Sequence, residues 1–141
     1  MNRKLPATLC PLVAVVALFA LVACGTDAEL PPESSDLRGD SGQFLFQVEP
    51  EGPLRPGPCP LTVTLRDAAD GSPLTGADVT VLARMPAMGH PGSGVTVSTE
   101  AAGGVYHVDG LVLSMAGSWE LRVDVQKGER SDSVAVTWEL Q

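Results

Sequence analysis

The sequence predicts an all-β fold, specifically an immunoglobulin-like antiparallel β-sandwich of about seven strands. Three observations support this fold class. From Phe44 onward, apolar residues recur at every second position, which is the period of a half-buried strand. Turn signals rich in glycine, proline and aspartate separate these runs, and no apolar stripe of helical period accompanies them. Short strands with one apolar face each fit two antiparallel sheets that pack face to face.

The predicted strands follow one another through the domain that we assign to residues 44–141. Their apolar positions are Phe44, Phe46 and Val48; Leu61, Val63 and Leu65; Val79, Val81 and Ala83; Val95 and Val97; the run VYHV after Gly103-Gly104; Trp119, Leu121, Val123 and Val125; and Val134, Val136, Trp138 and Leu140. The stretch DAADGSPLTGA reads as a hairpin turn in preference to a calcium loop. Because the Cys–Trp–Cys signature of true immunoglobulin domains is absent, the order of the strands stays open.

Residues 1–23 predict a signal peptide for export. Arg3 and Lys4 form its basic start, and the apolar run that follows is short for a membrane span. An uncleaved membrane anchor is the alternative interpretation.

The end of this segment, Leu21-Val22-Ala23-Cys24, resembles the bacterial lipobox. The resemblance implies that the Cys24 thiol is lipidated and that the chain is cleaved before it. Several acyl chains would attach the protein to a membrane stably. Gly25 follows in place of the aspartate that usually retains lipoproteins at the inner membrane. We therefore expect a lipid-anchored cell-envelope protein, at the periplasmic face of the outer membrane if the host is Gram-negative.

Residues 24–43 predict a disordered acidic tether, because they are polar and rich in proline, serine and glycine. Such a coil reaches roughly 25 Å on average. From Cys24 onward the chain carries seventeen acidic and seven basic residues, a net charge of −10. This acidity argues against nucleic acid as a partner and against electrostatic attachment to anionic lipid.

The cysteines predict no disulfide framework in the exported domain. Cys10 leaves with the signal peptide and Cys24 takes the lipid, so Cys59 is left alone among the three. Between two prolines, Cys59 is expected to be a small buried thiol, with a soft-metal ligand as the minor alternative.

The sequence does not predict an enzyme. Ser93 lies in PGSGV, which is not a nucleophile elbow, and the two histidines are His90 and His107. By strand alternation His107 is expected to face solvent or a turn, with a ligand role as the minor alternative. We find no HExxH motif, paired cysteines or phosphate-binding glycine loop.

The stretch MPAMGH, residues 85–90, is the candidate site. Met85, Met88 and His90 place two thioethers and one imidazole on a short segment, and Met115 in LVLSMAGSW is a possible fourth ligand. Thioether sulfur suits Cu(I), and imidazole binds both oxidation states of copper. Thioethers also bind without losing a proton, so they work at low pH. The sequence therefore predicts a copper site, with Cu(I) as the expected form.

Packing offers another interpretation of the same residues. Met85 is in register with the apolar residues of its strand and can fill the core, and Met115 can cover it. Met88 and His90 lie beyond the strand in a loop segment rich in proline and glycine. An apolar side chain there gains little free energy from burial.

The segment MPAMGH, followed by GGVYHVDGLVLSMAGSWELRVDV, resembles the YtkA-like domain family, which is related to the FixH proteins of cytochrome oxidase assembly. The upstream LTVTLRDAADGSPLTGADVTV fits the same pattern, and the resemblance covers residues 44–140. It implies a small β-sandwich in exported or membrane-tethered proteins near copper handling or heavy-metal efflux. The residues that match the two motifs are Met85, Met88 and His90, and Met115, Gly117 and Trp119.

Three hypotheses result. The first is a copper-binding lipoprotein that holds Cu(I) through Met88 and His90, helped by Met85 and Met115, and buffers it or delivers it to an oxidase or efflux partner. The second is a docking module for an envelope protein partner, in which the same loop inserts without metal. The third is a purely structural role for the methionines.

Overall fold

The computed structural model describes residues 35–91 and 96–141, without the side chains of His90 and Pro91. The predicted signal peptide, Cys24 and most of the predicted tether lie outside these residues. Nearly all of the regular secondary structure in the described chain is β-strand, as the sequence predicts. The strands are β1 (Leu37–Arg38), β2 (Phe44–Pro50), β3 (Gly57–Pro58), β4 (Leu61–Asp67), β5 (Asp78–Met85), β6 (His90–Pro91), β7 (Thr96–Val97), β8 (Thr99–Ala102), β9 (Val105–Val108), β10 (Val112–Leu113), β11 (Gly117–Lys127) and β12 (Arg130–Leu140).

The helical structure in the described part of the chain is one 3-10 turn, Pro86–Met88. None of the described segments is a helix of the length and apolar character that crossing a membrane requires.

The strands form two main antiparallel sheets. Sheet one has the order β1-β2-β4-β9-β8, and sheet two has the order β12-β11-β5-β6, with β7 also paired to β5. A short ladder joins β10 to β3. Every strand pair is antiparallel, which confirms the predicted all-β antiparallel class.

The core consists of the inward-facing side chains of both sheets. Its largest fully buried members are Tyr106, Phe44, Phe46, Leu61, Leu65, Leu111, Leu113 and Leu121. The alternation that the sequence shows in each strand becomes an alternation of buried and exposed positions. All buried core residues of the described chain lie between Phe44 and Leu140, so a chain that begins at Gly25 keeps this core.

Tyr106 ties the loop between β4 and β5 to the core. Its hydroxyl donates a hydrogen bond to the carbonyl of Leu74 at 2.7 Å and accepts one from the N–H of Ala77 at 3.0 Å. Burial raises the pKa of this phenol, which therefore stays a neutral donor.

The sandwich begins at Leu37, seven residues before the Phe44 boundary predicted from the sequence. The cause is a buried carboxylate on the last strand. Asp132, 6% exposed, accepts main-chain hydrogen bonds from Ser41 (2.7 Å), Gln43 (2.7 Å) and Phe44 (2.9 Å). The N–H of Ser133 is a further donor, at 2.9 Å. We call this arrangement the Asp132 clasp.

Gly39 is the residue that lets the turn approach the clasp. A Cβ atom at this position would lie 2.3 Å from Cγ of Asp132, closer than any side chain tolerates. Burial alone would raise the pKa of Asp132, but the main-chain donors outweigh it and hold the pKa below its ordinary value. The carboxylate is therefore charged and satisfied inside the fold.

We expect Asp132→Asn to lower the free energy of unfolding by about 2–4 kcal/mol, because an amide NH₂ would face two main-chain donors. Urea unfolding at neutral pH measures this loss. Asp124→Asn is the matched control, since Asp124 is an exposed aspartate whose ion pair with Arg122 lies at the surface, and its loss should be within about 0.5 kcal/mol.

The loss of unfolding free energy in Asp132→Asn should also depend on pH. A lowered pKa in the folded state means that the charged Asp132 stabilises the fold above its unfolded-state pKa of about 3.9. This contribution disappears as the pH falls through the folded-state pKa. The difference in stability between wild type and Asp132→Asn should therefore narrow below about pH 4. A difference that is constant from neutral pH to pH 2 would contradict the clasp.

Candidate functional site

Residues 85–90, the methionine loop, continue directly from β5. Met85 is the last residue of the strand and is only 8% exposed, because it keeps the inward phase of Val79, Val81 and Ala83. Its packing in the core agrees with the interpretation that strand alternation gives. A ligand role for its sulfur stays a prediction.

The loop turns sharply after Met85. Pro86 opens the 3-10 turn, and Gly89 closes it in the left-handed region at a φ of 63°, where glycine is favoured. The main chain then returns antiparallel, with His90 opposite Met85. Met88 lies at the end of the turn and is 51% exposed. The predicted ligand atoms of His90 lie outside the described residues.

Residues 114–119 (SMAGSW), the Met115 turn, lead into β11. The buried indole of Trp119 donates its N–H to the carbonyl of Met115 at 3.0 Å. This bond fixes the backbone of Met115, whose side chain is 44% exposed. A buried tryptophan thus positions an exposed methionine.

The fold places the methionine loop beside the Met115 turn. β5 and β11 are paired up to Arg84 and Glu120, whose Nε and Oε1 atoms lie 2.7 Å apart. Beyond this pair, the 3-10 turn runs alongside the start of β11. A Cβ atom built on Gly117 would lie 2.8 Å from Cε of Met85, so the Met85 methyl group occupies the space that a side chain at Gly117 would need.

This arrangement gathers thioethers at one end of the sandwich. Met88 and Met115 are half-exposed on adjoining segments, and Met85 is buried in the core with its methyl group next to Gly117. Thioether sulfur is a neutral, soft donor that suits Cu(I). The donor chemistry therefore fits a soft metal ion. Within residues 35–91 and 96–141, no three His, Cys, Asp or Glu side chains cluster as metal ligands would.

The other two candidate residues are Cys59, next to the β3–β10 ladder, and His107 on β9. Cys59 is buried, its N–H donates to the carbonyl of Leu111 at 2.8 Å, and burial raises the pKa of its thiol. It borders a small cavity of about 180 Å³ together with Glu51. The expectation of a small buried thiol is confirmed.

His107 is exposed on β9, as the alternation predicts. Its Nδ1 lies 2.8 Å from Oε1 of Glu51, and that contact is the main reason why the pKa of Glu51 is lowered. Thr62 also donates to the same carboxylate, at 3.0 Å. This cluster fastens the segment after β2 to sheet one.

A polar groove of about 450 Å³ lies elsewhere on the domain, at sheet two and the turn before β2. Three of its charged side chains belong to one hydrogen-bond network: Arg122 contacts Asp124 and Ser133, and the Ser133 hydroxyl donates to Asp40. No sequence motif marks these residues, but Asp132 occupies a position of β12 where the alternation predicts an apolar residue, and this departure is a signal visible in the sequence.

The model of the YtkA-like family matches residues 41–124. This is more than half of the chain, and the chain therefore belongs to the YtkA-like family. The match includes the methionine loop and the Met115 turn. No curated protein and no solved structure matches the chain.

We expect Gly117→Ala to destabilise the domain by about 1–3 kcal/mol, because it forces an alanine to a φ of 126° and pushes its Cβ against Met85. Urea unfolding of Gly117→Ala, Met85→Leu and the double variant checks this. Leucine is shorter than methionine, so the double variant should recover the steric part of the loss and keep the backbone part. Strictly additive losses would mean that the two side chains do not meet.

Proposed function

We propose that this protein binds Cu(I) at the methionine loop and buffers the metal or delivers it to a partner. Met88 and Met115 supply the exposed thioethers, His90 supplies an imidazole, and Met85 supplies a fourth ligand, the third sulfur, from the core side. The observation that supports this proposal is the pair of half-exposed methionines on adjoining segments of one end of the fold.

The exposure of these side chains favours a functional role over packing. A methionine that only filled the core would be buried, as Met85 is, and would gain from that burial. Met88 and Met115 each leave about half of their surface in solvent. Such ligands can be reached by a second protein, which exchange of a metal between carriers requires.

The local backbone also suits a binding role. The Met115 backbone is held by the Trp119 indole, and the methionine loop is bounded by a proline at one end and a left-handed glycine at the other. Ligands that are positioned before the metal arrives lose little conformational entropy when it binds. The Arg84–Glu120 ion pair holds the two strands together just before the loop.

The cellular setting completes the proposal. The lipobox-like segment would attach the domain through Cys24 to a membrane of the oxidising cell envelope, the outer membrane if the host is Gram-negative. Thioether and imidazole ligands resist oxidation better than thiolates, so they suit copper in that compartment. An oxidase-assembly or efflux protein of the envelope is the proposed recipient, and no catalytic step is proposed.

A docking module is the second candidate function. Met88 and Met115 then enter an apolar groove of an envelope partner without any metal, because flexible thioether side chains adapt to many surfaces. The same exposure of the two methionines favours this function, and metal binding decides between the two.

An anaerobic Cu(I) titration against a chromogenic chelator tests the proposal, with the chain from Gly25 onward. We expect one-to-one binding that weakens at least tenfold, about 1.4 kcal/mol, in Met88→Leu, Met115→Leu and His90→Ala. Met85→Leu should weaken it too, since leucine keeps the packing volume and removes only the sulfur. Val112→Leu, at an exposed apolar residue outside the two segments, is the control and should bind like wild type.

Two results would contradict the proposal. If the chain fails to compete with the chelator, the methionine loop is a docking or packing element. If the chain competes and none of the methionine or histidine variants changes the affinity, the metal is bound elsewhere, and Cys59→Ser identifies whether the buried thiol is responsible.

A further inference from the structure

Strand β12 forms an edge of sheet two. Among the described strands it pairs with β11 alone, through an unbroken register from Arg130 to Leu140. The turn before β2 covers the first part of its outer edge, where Asp40 donates to the carbonyl of Ser133 at 2.8 Å and Ser41 donates to that of Ser131. No described strand lies against residues 134–140.

The uncovered segment, VAVTWEL, is a strong strand former with a single charge. It contains neither proline nor lysine, and its pairing with β11 shows no bulge. Prolines, lysines and bulges are the features by which edge strands usually avoid pairing with other chains, and this segment has none of them. A regular, mostly apolar edge of this length is a template for a further strand.

The direction of the main-chain groups follows from the covered part of β12. Because the carbonyls of Ser131 and Ser133 point outward to the turn, alternation directs the N–H and C=O groups of Ala135, Thr137 and Glu139 outward as well. The side chains of these three residues are exposed on the outer face of the sheet.

We propose that β12 pairs with β12 of a second copy of this chain, antiparallel and centred on Thr137, so that the two copies form one continuous sheet. Thr137 is the middle residue of the uncovered segment 134–140. In this register Ala135 faces Glu139 of the other copy, and the two glutamates do not face each other. The edge is therefore complementary to itself in hydrogen bonding, and the register keeps the like charges of the two copies apart.

The inner face of the edge supports the same register. Val136 and Trp138 are only partly buried against the core, although they have the inward phase. Centring on Thr137 places Val136 of one copy opposite Trp138 of the other, in the pair type whose side chains approach closest. A second copy would thus cover apolar surface that the single domain leaves in solvent. None of these residues belongs to the methionine loop, so this inference is independent of copper.

Sedimentation equilibrium of the chain from Gly25 onward tests the proposal, with wild type expected as a dimer. Ala135→Glu places a glutamate opposite Glu139 of the other copy in both pairs and should weaken dimerisation at least tenfold, while Ala135→Lys should leave it equal or tighter. The effects of the two variants on folding stability have the opposite order, because within one copy residue 135 lies opposite Arg122 of β11. A glutamate there should stabilise the fold, and a lysine should destabilise it. Loss of folding therefore cannot imitate the expected result.

Thr137→Pro is a second variant that separates the edge from the fold. It removes an outward N–H and leaves the hydrogen bonds to β11 in place, and edge strands tolerate proline at such positions. We expect a folded monomer by circular dichroism and sedimentation. A monomeric wild type, equal dimerisation of Ala135→Glu and Ala135→Lys, or a dimer that survives Thr137→Pro would each overturn the proposal.

Discussion

The carboxylate of Asp132 is the interaction on which the closure of this sandwich depends. Asp132 lies on the last strand of sheet two, yet three of its four main-chain donors belong to sheet one, in the turn between β1 and β2 and at the first residue of β2. One buried charge thus joins the first and last parts of the domain, which lie about ninety residues apart. A buried carboxylate is unfavourable unless its oxygens are satisfied, and here main-chain donors satisfy both of them.

This clasp lies at one end of the β11–β12 ladder, and the methionine loop lies near the other. Asp132 pairs with Val125 and Leu140 pairs with Gly117, so the whole ladder separates the two. The two ends of the sandwich thus have different roles. The hydrogen bonds of Asp132 and of the Tyr106 hydroxyl stabilise one end, and the other end presents the methionine side chains to solvent. Segments that bind partners are commonly placed away from the elements that stabilise a domain.

The period-two pattern predicted the long strands because each buries one face, and burial leaves a signal in every second residue. Strands of two residues, such as β1 and β10, have no period to read and were missed. The alternation of β5 alone was enough to predict that Met85 is a core residue. That Met88 lies beside the Met115 turn depends on the pairing of β5 with β11, which no local pattern contains.

The hydrogen bond from Trp119 to Met115 gives the protein an intrinsic optical probe. The indole is buried in the core, and its N–H ends on the backbone of an exposed methionine. Indole emission responds to the polarity around the ring and is quenched by nearby heavy or paramagnetic ions. Events that move the Met115 backbone are therefore expected to change the emission of Trp119, which can be followed without any label.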